Sequence, residues 1–548
     1  MQRFWPWLGA IAKRSGSMIA LLPLAFTAMS APARAQAVDP FRELDNFSYW
    51  SNLCRLLAEA EQFDEAIEAC DEAVLVNPRD AFIWSDRSFA LWNLERHAEA
   101  IASADEAIAL EADFSEAYTW RCTAFSGLRR DEDAVDSCEQ ALILNSNWRR
   151  SSPAEAWYLR GEAMLRSGFL EDAVVSYERA LLVTPEDSQF LARQCEALTA
   201  LEQPLAAIAA CDEALAIDRN WRDDTTRSLA WRNRAAALQQ LGGEDQAIAA
   251  LDQALDNAPK DEVAWTRQGM ILENRREYAD ALLAYEQAVT FKDDYTLAWV
   301  NLCAVRNRLR RFDAALAACQ RALEGDGTWD SIGPAEAWNE LAITYTNLGR
   351  LEEALAASSR AVGFRPDYAQ AWNNRGVPLW YLERYDESLA AFQRALNLDP
   401  RYTEAWLNRG RVLQSLGRPF EALSAFEQAV QLAPTNAEGW TNRSVALWSL
   451  GQWGDSLSAA QRATSLAPNS FLAWYSQAKA ATSLGNLALA AQAYERALAI
   501  NADNAETWAE YGVVLRRLNR AEDAQEAFGR ALRINPAQSL ALENQEQF

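Results

Sequence analysis

The sequence predicts an all-α solenoid of stacked helix pairs, and three observations carry that prediction. The chain repeats itself with a period of 34 residues, fourteen times over residues 47–538 of its 548. Periods of roughly 20–50 residues mark solenoids and related repeat folds. Each copy places small residues at helical spacing beside one large aromatic. The composition, 50 % hydrophobic and 24 % charged, is that of a globular chain and not of a disordered one.

The N-terminus reads as a targeting segment. Arg3, Lys13 and Arg14 precede an apolar stretch from Met18 to Met29, followed by the small-residue run from Ala31 to Ala37. A basic region, a short apolar region and an A-x-A site are the layout of a bacterial secretory signal peptide. Residues 1–35 are therefore expected to be removed, with cuts after Ala35 or after Ala37 both fitting. The apolar stretch, about a dozen residues, falls short of the roughly 20 needed to span a bilayer. Residues 36–46 form a short N-terminal segment, and the mature protein is expected in the periplasm or secreted.

Repeats begin at residues 47, 81, 115, 154, 188, 228, 262, 296, 335, 369, 403, 437, 471 and 505. Position 4 of the repeat is Trp in twelve copies, position 27 is Ala in all fourteen, and position 20 is Ala or Ser. Position 8 is always Gly, Ala, Ser or Cys. At 3.6 residues per turn, positions 4, 8 and 11 fall on one stripe of a first helix, and 20, 24 and 27 on one stripe of a second. Small residues at 8, 20 and 27 let the two helices approach closely, and the Trp fills the space beside them. Gly or Asn near position 15, as in Leu348-Gly349-Arg350, ends the first helix, and Pro at position 32, as in Pro78 and Pro400, ends the second.

The run Ala371-Trp372-Asn373-Asn374-Arg375-Gly376, followed by Glu387-Ser388-Leu389-Ala390-Ala391-Phe392 through Asp399-Pro400, resembles the tetratricopeptide repeat family. The resemblance extends over residues 47–538. It implies antiparallel helix pairs stacked in a right-handed superhelix, with the first helix of each pair lining a concave groove. Residues 539–548 continue the register, with Leu542 at position 4, and read as a C-terminal capping helix of the kind solenoids need.

All eight cysteines fall at positions 8 and 24, always together: Cys54/Cys70, Cys122/Cys138, Cys195/Cys211 and Cys303/Cys319. Two antiparallel helices reversing near position 16 bring these positions to the same height on facing stripes. Four disulfides within repeats are expected, in the oxidising compartment that a signal peptide supplies. Each pair offers only two thiolates with no histidine in reach, so no metal site is expected. No C-x-x-C redox motif occurs.

Three insertions follow repeats 3, 5 and 8: Asn147-Trp148-Arg149-Arg150, Asn220-Trp221-Arg222-Asp223 and Thr328-Trp329-Asp330-Ser331. They read either as a longer helix or loop with the Trp folded over the edge, the preferred reading, or as accessory contact surfaces. Asp223-Asp224 and the acids of 326–330 lack the spacing of an EF-hand calcium loop.

Position 6 lies about 140–160° from positions 4, 8 and 11 on the helix, out of the packed layer and, in the resembled family, into the groove. It is Asn at Asn52, Asn233, Asn301, Asn374, Asn408 and Asn442. These asparagines are either a ladder that holds an extended peptide by its backbone or a solvated polar face. No repeat combines Lys or Arg at position 5 with Asn at position 9, so a chaperone-tail clamp of the family is not expected. Arg at position 7, as in Arg160 and Arg409, reads as a structural residue beside the next helix. Trp92, Trp380 and Trp448 at position 12 read as packing against the neighbouring repeat.

Charge and composition narrow the function. A net charge of −25 and a pI near 4.6 oppose nucleic-acid backbones and anionic membranes as partners. A single histidine, His97, and the absence of room for another domain disfavour catalysis. The expectation is an extracytoplasmic scaffold or adaptor that binds a protein or extended peptide in its groove, without enzymatic activity or cofactor. The alternative is a component of envelope polysaccharide or glycosylation systems, or a carbohydrate binder using its many tryptophans.

Overall fold

The computed structural model describes residues 46–545, apart from 218, 220, 222–223 and 330–331. The signal-peptide reading and residues 546–548 of the cap lie outside the described residues. Among the described residues there are twenty-nine helices and no strand, and none of the helices is long and apolar enough to cross a membrane. Numbered in chain order, odd helices up to α27 are the first helices of the fourteen repeats and even ones the second helices. The expected period falls on the observed boundaries: α1 is Asn46–Glu59, α2 Phe63–Val76, α3 Ala81–Asn93, and α29 (Ser539–Gln545) follows the last repeat. In that last helix Ala541 is buried while Leu542 stays exposed.

The described residues form two compact units, the first running to Ala163 and the second starting at Met164. Within the first unit, α1 packs on α2 and α3 on α4 (His97–Leu110), and α3 also touches both α1 and α5 (Ser115–Gly127). Within the second unit the same pairing recurs, and the first helices α15 (Thr296–Arg308), α17 (Pro334–Asn347) and α19 (Ala369–Tyr381) touch in succession. First helices thus form the inner layer of each unit, and their outward faces line its groove.

The alanines at positions 20 and 27 are fully buried, as at Ala66, Ala73, Ala422 and Ala531. In several repeats positions 8 and 24 have complementary volumes. Where position 8 is Gly269, Gly376 or Gly512, position 24 is an aromatic, Tyr285, Phe392 or Phe528, whose ring lies 2.6 Å from where a glycine Cβ would stand. Gly410 and Phe426 repeat the arrangement. In four repeats cysteines fill both positions instead. Their Cα atoms lie 5.0, 5.4, 5.4 and 5.2 Å apart, in chain order, with the sulfurs at disulfide distance and the partners those expected from sequence.

Position 15 has positive φ in all fourteen repeats, from Glu61 (59°) to Asn519 (58°). Glycine meets this left-handed requirement in six of them, as at Gly349, but Glu383, Arg276 and others adopt it with a side chain. The turn between repeats is fixed by the conserved pattern of the repeat itself. Position 34 caps the next helix: Asp80 accepts from the Phe82 and Ile83 N–H, and Asp261 from Val263 and Ala264. The carbonyl of position 32 accepts the indole N–H of the next repeat's Trp in eight repeats, among them Trp84 to Pro78 (3.0 Å), Trp406 to Pro400 (3.0 Å) and Trp508 to Ala502 (2.8 Å).

Candidate peptide-binding groove

The tryptophans at position 4 are committed to the fold. All seven arginines at position 7 stack on the aromatic ring at position 4 of their own helix, one turn away, as Arg409 does over Trp406 at 5.7 Å and Arg121 over Tyr118 at 4.9 Å. Where position 7 is Leu302, Leu341 or Tyr511, an arginine from position 26 takes the same place: Arg321 over Trp299, Arg360 over Trp338, Arg530 over Trp508. Such contacts contribute about 0.5–1 kcal/mol each where exposed. Several position-7 arginines also reach position 25 of the preceding repeat, as Arg87 does to Asp71 and Arg121 to Asp105.

The asparagines at position 6 are not equivalent. Asn52 and Asn301 turn back onto carbonyls of their own helices, Ser48 and Leu297. Asn233 is 6 % exposed and its Nδ2 finds no acceptor among the described residues. Asn374 and Asn408 bridge repeats: Asn374 Nδ2 donates to Asn339 Oδ1 (2.8 Å) and Asn408 Nδ2 to Asn373 Oδ1 (3.0 Å), in both cases the position-5 carboxamide of the preceding repeat. Asn442 has Leu407 at that preceding position, and its Nδ2 has no acceptor among the described residues.

The unpartnered Asn442 amide borders a groove cavity of about 320 Å³ lined by Gln414, Thr441, Trp448, Tyr475 and Lys479. Trp448, at the cavity edge, donates its indole N–H to Ser483 Oγ of the next repeat (2.9 Å). The Lys479 ammonium lies 4.7 Å from the Trp448 ring and 5.5 Å from Tyr475, and pairs with Glu510 at 3.1 Å. A second groove cavity, about 300 Å³, is lined by Asn307, Asn339, Glu340, Asn374 and Glu404. Burial raises the Glu340 carboxyl above its ordinary value, although Asn307 Nδ2 donates to it at 2.9 Å.

The tetratricopeptide repeat model matches residues 52–115, 158–223, 232–295, 306–369, 374–437 and 441–505, and a second model of that description matches 505–538. The chain belongs to the tetratricopeptide repeat family. No curated protein matches it. Among solved structures it is similar to the APC/C hetero-tetramer Cut9-Hcn1, at 15 % identity over 92 % of this chain and 96 % of that one, with a TM-score of 0.45. It is also similar to YrrB, described as a TPR protein with an unusual peptide-binding site, at 23 % identity over 35 % of this chain and 99 % of that one (TM-score 0.32). MamA is 22 % identical over 32 % of this chain and 97 % of that one (TM-score 0.28).

Within this tetratricopeptide array, sequence reasoning placed position 6 on the groove side but did not see which asparagines have partners. The deciding signal was present one column away, in Asn339, Asn373 and Leu407 at position 5. At position 12, Trp92 stacks near Trp120 (6.4 Å), and Trp380 bonds to Ser415 of the next repeat (3.2 Å), the packing role expected for them. The first insertion lengthens the connecting loop, one of the two forms of the preferred reading, and leaves α6 (Asp131–Leu144) at its usual length; Trp148 donates its indole N–H to Asn145 Oδ1 (3.0 Å), while Arg149 and Arg150 reach Asp86 on the first-helix face. Trp329 of the third insertion does pack inward, beside Val300 and Ala337.

Proposed function

We propose that the protein is a non-enzymatic, extracytoplasmic scaffold whose second-unit groove binds an extended peptide segment of a partner protein. The observation that carries the reading is the juxtaposition at Asn442. A buried carboxamide N–H without an acceptor among the described residues, an indole and a lysine ammonium border one open cavity. Each could serve a peptide: the Asn442 amide, once its side chain turns outward, a backbone carbonyl, Trp448 and Tyr475 an apolar or aromatic side chain, and Lys479, with donors left beyond its bond to Glu510, a carboxylate. The family's common use as protein-binding scaffolds supports the same reading. The four cysteine pairs at disulfide distance fit an oxidising location outside the cytoplasm. A carbohydrate platform gains little support from the position-4 tryptophans, whose N–H groups and ring faces are taken up inside the fold in most repeats.

A peptide-display selection against the mature chain, followed by calorimetric titration of the selected peptides, tests this directly. Trp448→Ala is expected to weaken binding by at least tenfold and Asn442→Ala by about threefold to tenfold, a loss of one hydrogen bond near 1 kcal/mol. Selected peptides whose affinity is indifferent to both changes, in variants that keep their helicity, would remove the groove reading.

A further inference from the structure

In the first unit the groove face is already occupied by the chain itself. The second helix of repeat 3 stops at Leu144, and Asn145 turns left-handed with φ 47°. The next residues run across the first helices of repeats 1 to 3. Ser146 is tied to Ser115, whose N–H donates to the Ser146 carbonyl (3.1 Å). The Glu116 carboxylate, fully buried, accepts the backbone N–H of Arg149 (2.7 Å), Arg150 (2.5 Å) and Ser151 (3.3 Å). Successive amides of an extended chain point to opposite sides, so a carboxylate that gathers three of them recognises a bent backbone whose N–H groups converge, as at the bend of residues 149–151, and not a particular side chain.

The side chains supply the selectivity. Arg149 lies over the Phe82 ring (4.7 Å) and Arg150 over Phe89 (5.2 Å). Both guanidiniums face Asp86, which is 2 % exposed, at 3.4 Å from Arg150 and 3.7 Å from Arg149. Arg150 Nη2 donates to the Arg55 carbonyl (3.1 Å). Yet the fit is incomplete. Arg150 Nη1, Ser151 Oγ and Trp120 Nε1 are buried with no hydrogen-bond partner among the described residues, and Arg150 Nε meets Asp86 Oδ1 only as an ion pair at 3.4 Å. A polar group buried without a partner has given up its water for nothing in return, so the loop holds this cleft less well than a segment free to choose its own geometry.

We propose that the first-helix face of repeats 1 to 3 is a second binding site, selective for a bent segment carrying two adjacent arginines, and that residues 145–152 are its built-in occupant. A partner segment of that chemistry exchanges places with the loop. The buried acids and the two phenylalanine rings select arginine over lysine, because a planar guanidinium can lie on a ring and meet a carboxylate edge at once. This site is independent of the Asn442 cavity, and either can fail without the other.

The test uses the full mature chain and a labelled synthetic peptide, acetyl-Ser-Asn-Trp-Arg-Arg-Ser-Ser-amide, with a second peptide carrying two lysines in place of the arginines. In the double variant Arg149→Ala/Arg150→Ala the cleft loses its resident cations while the loop keeps its length. The arginine peptide should bind this variant at least tenfold more tightly than the wild type, and at least tenfold more tightly than the lysine peptide does. Adding Glu116→Gln should lower that affinity again by about tenfold. Equal binding to wild type and double variant, equal binding of both peptides, or no binding to a folded double variant overturns the proposal. Should the double variant lose its helicity, amide exchange on the wild type decides. Millimolar arginine peptide should strip the protection of the Arg149, Arg150 and Ser151 amides, and protection unchanged by that peptide overturns it equally.

Discussion

The Phe392 ring occupies the space that a β-carbon on Gly376 would need, with the nearest ring atom 2.6 Å from that position. The pair joins the two helices of repeat 10 at the point where repeats 1, 3, 5 and 8 carry a cysteine pair. One site in the repeat is thus filled in different ways, by glycine against an aromatic ring or by two sulfurs. Gly376→Ala should therefore destabilise the chain, although alanine is the better helix former by about 1 kcal/mol. Overpacking costs about 1–3 kcal/mol, so a net loss of up to about 2 kcal/mol is expected in urea unfolding. Adding Phe392→Leu should recover at least half of it. A Gly376→Ala variant as stable as the wild type would contradict this volume complementarity.

At position 15 the opposite sign is expected. Glu383 sits at φ 59°, where a side chain costs roughly 1–2 kcal/mol. Glycine removes that cost and adds about 0.5–1 kcal/mol of unfolded-chain entropy. Glu383→Gly should raise stability by about 0.5–1 kcal/mol, read as a higher urea midpoint with unchanged slope.

Peptide mapping without reductant should link Cys54 to Cys70, Cys122 to Cys138, Cys195 to Cys211 and Cys303 to Cys319, leaving no free thiol. Each bridge closes a loop of about 16 residues, worth about 3 kcal/mol in the chain-entropy view. Reduction should accordingly lower the thermal midpoint, and links between different repeats would refute the pairing.

The Asp86 carboxyl gives a signed pH dependence. Burial pushes it up to about 6, against the pull of Arg150 and Arg149. Its folded value lies above its unfolded one, so the fold takes up a proton at this site between them. Its contribution to stability is greatest below about pH 4 and declines as pH rises through about 6, by on the order of 3 kcal/mol in all. The stability difference between wild type and Asp86→Asn should shift against the wild type across that window. A difference constant from about pH 4 to 7 would show that the carboxyl titrates normally.

N-terminal sequencing of the protein purified from envelope extract should find Gln36 or Val38 first. An intact Met1 on that form would rule out cleavage.

The period made the helix boundaries legible, because Trp at position 4 and Ala at position 27 fix the register of every repeat. The turn at position 15 was legible at Gly349 and not at Glu383. Packing on both sides imposes the left-handed backbone whichever residue is there. The pairing of Gly376 with Phe392 needed positions 8 and 24 read together, and only their cysteines invited that comparison. The course of Arg149 and Arg150 lay beyond sequence, since their partners stand at Glu116, Asp86 and Arg55, up to 95 residues away. The Asn374 and Asn408 bridges depended on a neighbour's carboxamide, which a single position cannot reveal.

The indole bond from position-4 Trp to the preceding carbonyl of position 32, made in eight repeats, has a practical consequence for cutting and splicing the array. A segment excised at position 1 keeps its Trp but leaves the acceptor behind, on the far side of the cut. The transferable module is offset from the sequence repeat by three residues. It starts at Pro400 and not at Thr403, and an added or deleted repeat should be joined there to keep that turn closed.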